Sequence, residues 1–115
     1  MKPIDLQKLN ILIDKFIDDR DWNKFHSPKN LAMALIVECG ELVEIFQWLS
    51  EKDSDDFELK QKIQEEVADI FIYLLRIVKK FNIDIESATI AKINKNSLKY
   101  PIEKSKGNSK KYNEL

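Results

Sequence analysis

Leu31-Ala32-Met33-Ala34-Leu35-Ile36-Val37-Glu38-Cys39-Gly40-Glu41-Leu42-Val43-Glu44-Ile45 reads as a helix whose central position is an acid where packing calls for leucine. Leu31, Leu35, Leu42 and Ile45 stand at offsets of −7, −3, +4 and +7 from Glu38. At about 100° of helical rotation per residue these offsets fall within roughly 40° of the acid, so the carboxylate leaves from the middle of an apolar stripe. An ionised carboxylate in that setting is strongly destabilising unless it is neutralised, paired or bound to a cation.

The stretch from Leu59 to Tyr73 repeats the pattern. Glu66 has Leu59, Ile63, Ile70 and Tyr73 at the same offsets. Each central acid has another three residues on, in Glu38-Cys39-Gly40-Glu41 and Glu66-Val67-Ala68-Asp69, and positions i and i+3 are neighbours on a helix surface. Two helices in one register across the short acidic connector Ser50 to Asp56 are expected to pack antiparallel with their acids facing each other. Four carboxylates then share one site.

Outward from this pair, a first helix is expected from about Ile4 to Asp19, with Leu6, Leu9, Ile13, Phe16 and Ile17 in a 3.6-residue rhythm. A polar, aromatic-studded connector follows, Arg20-Asp21-Trp22-Asn23-Lys24-Phe25-His26. Ser27-Pro28 then marks the start of the second helix, which runs to about Leu49. Ser54 or Asp55 can cap a third helix from about Asp56 to Phe81. Asn82 or Asp84 opens a fourth through Ile85, Ala88, Ile90, Ala91 and Ile93, fading near Ser97. The expected fold is all-α: a four-helix protomer in a single domain over residues 1–103, then an extended or flexible tail over 104–115, rich in Lys, Ser, Gly and Asn.

Composition supports this and narrows the function. With two glycines and three prolines in 115 residues and a charged fraction of 34 %, long helices are favoured over sheet. The core of such a chain is modest, and burial of further apolar surface in an oligomer is expected. A net charge of −1 with dispersed basic residues gives no footprint for a nucleic acid polymer. No stretch reaches the length of a membrane span. The single cysteine, Cys39, forms no internal disulfide, and Met1-Lys2-Pro3-Ile4-Asp5 lacks the apolar run of a signal peptide, so the expected location is a reducing cytoplasm.

Four converging carboxylates with no lysine or arginine on their stripe repel one another unless a cation lies between them. A hard, oxygen-seeking ion suits Glu38, Glu41, Glu66 and Asp69: Mg²⁺, with Mn²⁺ the alternative. Di-iron bundles use Glu-x-x-His on their ligand helices, and the one histidine, His26, lies outside both. A carboxylate-held Mg²⁺ commonly shares substrate phosphates, and the chain has no P-loop to hold phosphate otherwise. Trp48 and Tyr73 lie within a turn or two of the acids, where they can stack on a base or serve as ordinary core. Lys92 and Asn96 share a face of the fourth helix and can hold a phosphate tail or simply be solvated. Glu65 is either solvent-facing or a base for an attacking water, and Glu44 has swung to the surface. Cys39 and Gly40 are small residues permitting close helix approach. A different class of answer is a non-catalytic helical interaction module whose acids bind a structural cation.

Taken in order, several segments resemble the MazG-type all-α nucleoside triphosphate pyrophosphohydrolases, and more narrowly their dCTP pyrophosphatase branch. They are Arg20-Asp21-Trp22; Phe25-His26-Ser27-Pro28-Lys29-Asn30-Leu31; Glu38-Cys39-Gly40-Glu41-Leu42 running into Phe46-Gln47-Trp48; Glu65-Glu66-Val67-Ala68-Asp69 with Ile72-Tyr73-Leu74; Lys92 with Asn96; Tyr100-Pro101; and Lys111-Tyr112. The resemblance covers nearly the whole chain. It implies hydrolysis between the α and β phosphates of a small-molecule nucleoside triphosphate, giving monophosphate and pyrophosphate. It also implies Mg²⁺ on Glu38, Glu41, Glu66 and Asp69, with Trp22, Phe25, His26, Trp48 and Tyr73 around the nucleotide and Lys92 and Asn96 on its phosphates. A homodimer or homotetramer follows from the same likeness. Two positions depart from the dCTP branch: Ile13 stands where that branch has a histidine, and Lys99 where it has an arginine.

Overall fold

In a computed structural model that describes all 115 residues, the chain is helical and carries no strand. The helices are α1 (Leu6–Asp19), α2 (Pro28–Phe46), α3 (Lys60–Lys80), α4 (Ile85–Lys99) and a single closing turn, α5 (Ile102–Ser105), with 3-10 turns at Asn23–Phe25, Asp53–Asp55, Phe57–Leu59 and Tyr112–Glu114. The four expected helices are present and a short fifth is added.

Local hydrogen bonds set the helix ends. Asp5 accepts from the Lys8 N–H at 3.0 Å, so α1 starts at Leu6 rather than Ile4. Ser27 accepts from the Asn30 N–H at 3.2 Å and Pro28 opens α2, as the sequence predicts. α2 stops at Phe46 rather than Leu49, because its last turn tightens: the Leu49 N–H donates to the Phe46 carbonyl at 2.9 Å. The cap before α3 is Asp56, not Ser54 or Asp55. It accepts from the Glu58 N–H at 2.9 Å and closes the turn Phe57–Leu59, which delays α3 to Lys60. Asp84 accepts from the Ser87 N–H at 3.1 Å to open α4, which continues to Lys99, past the expected fading near Ser97.

The chain divides into two units, Met1–Phe81 and Asn82–Leu115. In the first, α2 packs mainly on α3. Its buried apolar core is small: Ile17 of α1, Leu31 of α2 and Leu75 of α3. Polar ties add to it. Arg76 of α3 donates from Nη1 to Asp14 of α1 at 2.8 Å and from Nη2 to Asn23 of the connector at 2.7 Å, and Lys79 also pairs with Asp14. Met33, Ile36, Val37 and Val43 leave a second side of α2 apolar and exposed. In the second unit the Tyr112 ring stands edge-on to Tyr100 at 6.2 Å, with the Lys99 ammonium 4.9 Å from its centre. No helix is long and apolar enough to cross a membrane.

Candidate active site

Moving along α2 from Glu38 to Glu41 and Ile45, and on to Leu49 just past its end, goes with moving backwards along α3. Glu38 shares a cavity with Asp69, Tyr73 and Arg76, whereas Glu41, Ile45 and Leu49 share another with Glu66, Lys62 and Leu59. The two helices are therefore antiparallel, and their repeated register brings the acids together. One carboxylate oxygen from each of Glu38, Glu41, Glu66 and Asp69 lies within 4.8 Å of the others.

The four acids divide into an inner and an outer pair. Glu38 and Glu66 are half-buried, and each has one oxygen, Oε2, sealed from solvent with no hydrogen-bond partner. Glu41 and Asp69 are exposed. None of the four is paired with a lysine or arginine; the ion pairs of the chain involve Asp14, Asp19 and Asp21. Burial, then the hydrogen bond to Glu41, then the charges of Glu41, Asp69 and Glu66 push Glu38 up to about 7. Glu66 is raised as well, by burial first, then its hydrogen bond to Glu41 and the charges of Glu41, Asp69 and Glu65. Sealed, unpartnered carboxylate oxygens facing like charges fit a hard divalent cation such as Mg²⁺ or Mn²⁺, since the donor set is all oxygen with no histidine or thiolate.

The cluster lies between two cavities of different character. The first, of about 390 Å³, touches Glu38 and Asp69 and is walled by Leu12, Ile13, Phe16, Ile17, Trp22 and Ile72, with His26, Tyr73 and Arg76 completing it. The second, of about 530 Å³, touches Glu41 and Glu66 and adds Glu44, Glu65 and Lys62 to Ile45, Leu49 and Leu59. An apolar cavity with a few polar groups on one side of a cation site, and an open polar cleft on the other, suits a ligand with a flat ring at one end and charge at the other.

Trp22, His26 and Tyr73 thus meet in the first cavity. The connector is fixed there by the Trp22 N–H donating to Ile17 O at 3.1 Å and by Asn30 Nδ2 donating to Phe25 O at 3.0 Å. His26 is buried, its ring edge-on to Tyr73 at 6.3 Å and its Nδ1 without a partner. Its pKa is lowered by burial first and then by Arg76 and Lys80, which keeps the ring neutral at pH 7. Burial, followed by the charges of Glu38 and Asp69, raises Tyr73, so its hydroxyl stays protonated. Phe25 and Trp48 are exposed and line neither cavity. Lys92 and Asn96 fall in the second unit, exposed on α4. Glu65 is exposed and accepts from Gln61 Nε2 at 3.3 Å. Arg76 was absent from the sequence expectation although a signal existed: it is a charge in the apolar run from Ile70 to Val78, at +7 from Asp69 and +3 from Tyr73.

Comparison with known proteins agrees with this geometry. The model of the MazG-like family matches residues 33–115. dCTP pyrophosphatase 1 of Rattus norvegicus is 37 % identical over 114 residues, which span 96 % of this chain and 67 % of that protein. The Homo sapiens protein of the same name is 35 % identical over the same shares of the two chains. A pyrophosphatase from Archaeoglobus fulgidus, known from its crystal structure, superposes with a TM-score of 0.77 at 38 % identity, covering 88 % of this chain and 96 % of its own.

Proposed function

The chain belongs to the MazG-like family and is a nucleotide pyrophosphohydrolase, and from that premise we propose that it hydrolyses the α–β phosphate bond of dCTP or a modified dCTP-like nucleotide, with Mg²⁺ held by Glu38, Glu41, Glu66 and Asp69. The observation that carries the reading is the position of those acids, two of them with sealed and unpartnered oxygens, between an apolar and a polar cavity. When bound, such an ion offsets triphosphate charge, polarises a phosphoryl oxygen and lowers the pKa of a coordinated water.

The chain's own residues supply the rest. The apolar cavity takes the base, with Trp22 and Tyr73 offering ring surface and the neutral His26 a polar edge. Its walls exclude bulk water from the nucleoside end. The second cavity takes the departing pyrophosphate, with Lys62 the cation in its lining. The resemblance further assigns Phe25 and Trp48 to the nucleotide and Lys92 and Asn96 to its phosphates, roles that rest on their sequence positions. Because no side chain near the cluster is placed as a covalent nucleophile, an oriented water is the attacking group. Ile13 lines the base cavity and gives it an aliphatic wall. The exposed apolar side of α2 supports association as a homodimer or homotetramer, and the single thiol, Cys39, suits a reducing cytoplasm.

A triphosphate panel assayed for pyrophosphate with and without Mg²⁺ tests the reading. Monophosphate and pyrophosphate in equal amounts are expected, with dCTP among the best substrates and no turnover in chelator. Release of orthophosphate with a nucleoside diphosphate contradicts the bond assignment, and inertness toward every triphosphate contradicts the whole reading.

A further inference from the structure

Arg76 is a charge set in the apolar run of α3, with 6 % of its surface exposed. Its guanidinium spans three parts of the chain: Nη1 donates to Asp14 of α1 at 2.8 Å and Nη2 to Asn23 of the connector at 2.7 Å. As a source of stability alone the arrangement is a poor choice, since a buried ion pair commonly contributes no more than well-packed apolar side chains of similar volume. The arm to α1 also has a substitute, because Lys79 of α3 pairs with the same Asp14. The arm to Asn23 has none. Elsewhere the connector is anchored to α1, by the Trp22 N–H on Ile17 O and by Asn23 Nδ2 on Asp18, and to α2, by Asn30 on Phe25 O. No other hydrogen bond carries it to α3.

What that bond joins is defined by its neighbours. Asn23 directly follows Trp22 and stands three residues before His26, while Arg76 stands one turn past Tyr73 and two past Asp69. Trp22, His26, Tyr73 and Asp69 all line the apolar cavity; Asn23 does not. The bond therefore ties the wall made by the connector to the wall made by α3. We propose that Arg76 and Asn23 are positioning residues for the nucleoside: their hydrogen bond fixes Trp22 and His26 against α3 at the separation the base requires, and neither side chain need touch the base to do so. This rests on the reading that the apolar cavity takes the base. A wall left free to shift loses affinity through the ordering that binding then demands. The phosphate end has a different support, since the four acids are borne by α2 and α3, which pack directly on each other.

The experiment separates the two ends of the substrate by product inhibition. In the natural protein, Arg76→Met, Asn23→Ala and Lys79→Met, KM and kcat for dCTP are measured by dCMP formation with Mg²⁺, together with the inhibition constants of dCMP and of pyrophosphate. Arg76→Met and Asn23→Ala are each expected to raise KM for dCTP and the dCMP constant by roughly 10-fold, the low end for a hydrogen bond to a charged group. In both, kcat and the pyrophosphate constant are expected to stay within about twofold. Lys79→Met loosens the tie to Asp14 but spares the connector, and is expected to lower Tm without that split. Equal weakening of dCMP and pyrophosphate in Arg76→Met and Asn23→Ala overturns the proposal and leaves the network a matter of stability alone. So does an unchanged dCMP constant. Should Arg76→Met fail to fold, Asn23→Ala decides, because Asn23 is an exposed side chain outside the core. A natural protein that cleaves dCTP while Asn23→Ala binds dCMP as before sinks the positioning role alone, whereas a natural protein inert toward every triphosphate sinks the underlying reading and the proposal with it.

Discussion

In the proposed reaction Glu38 is the residue on which both chemistry and stability turn. Its Oε2 is sealed without a partner, and three further acids crowd it. Glu38→Gln is expected to abolish pyrophosphate release while the far-UV helical signal persists, and to raise Tm in chelator by removing a repelled charge; turnover surviving in that variant excludes Glu38 from the cation site. The same crowding gives a pH dependence. Because the folded carboxyl titrates at about 7 against an ordinary 4.5, its favourable contribution is present below pH 4.5 and disappears as pH rises through 7. His26 opposes this below pH 6.5: its folded pKa is lowered, so its contribution grows as pH rises towards the ordinary value and is constant above it. The clean window is therefore pH 6.5 to 8, where Tm in chelator is expected to fall. Saturating Mg²⁺ should raise Tm across that window, since an ion that binds only the folded state stabilises it. A Tm in chelator that is flat or rising there contradicts the crowding. Both central acids were legible in the sequence because a helix's rhythm exposes an intruder. Arg76 is a comparable intruder in the run from Ile70 to Val78, but the partner that explains it, Asp14, lies 62 residues away and is not readable from the helix's own rhythm.

At the scale of the elements, capping residues decide how accurately helices are read. α2 begins where Ser27-Pro28 says it must, because the cap, the proline and the Asn30 N–H are all local. The start of α3 was misplaced by four residues because Ser54, Asp55 and Asp56 all offer capping oxygens, and only the folded turn Phe57–Leu59 chooses among them. The ends of α2 and α4 shifted for a related reason: a last turn tightens or extends according to which carbonyls find partners, and periodicity does not encode that. The apolar cavity was illegible as such, since it forms where α1 and the connector meet the α2–α3 hairpin. Ser27 has a functional consequence, because the helix it caps anchors the connector bearing Trp22 and His26. Ser27→Ala is expected to cost about 1 kcal/mol in urea unfolding and to raise KM for dCTP more than it lowers kcat. A stability unchanged within error removes the cap from this account.

For the molecule as a whole, the imbalance between its small core and its exposed apolar surface is the decisive feature. Only Ile17, Leu31 and Leu75 are buried apolar residues, whereas Met33, Ile36, Val37 and Val43 on α2 remain more than half exposed. A helix that is apolar on both the side facing α3 and the side facing away calls for a neighbour on each, and the unit Met1–Phe81 provides one for the side facing α3. The sequence gives a reason to expect this, since α2 holds one charge between Asn30 and Gly40, and that one is Glu38. Sedimentation of the natural protein is accordingly expected to give a multiple of 13.5 kDa, the mass of one chain. Ile36→Glu should shift the boundary towards 13.5 kDa with its helical signal intact, because a side chain 69 % exposed within its own chain contributes little to that chain's packing. Those two results together assign the outward side of α2 to self-association. A natural protein that sediments as a single chain at assay concentrations, or an Ile36→Glu variant that keeps its full assembled mass, places the contact elsewhere or removes it.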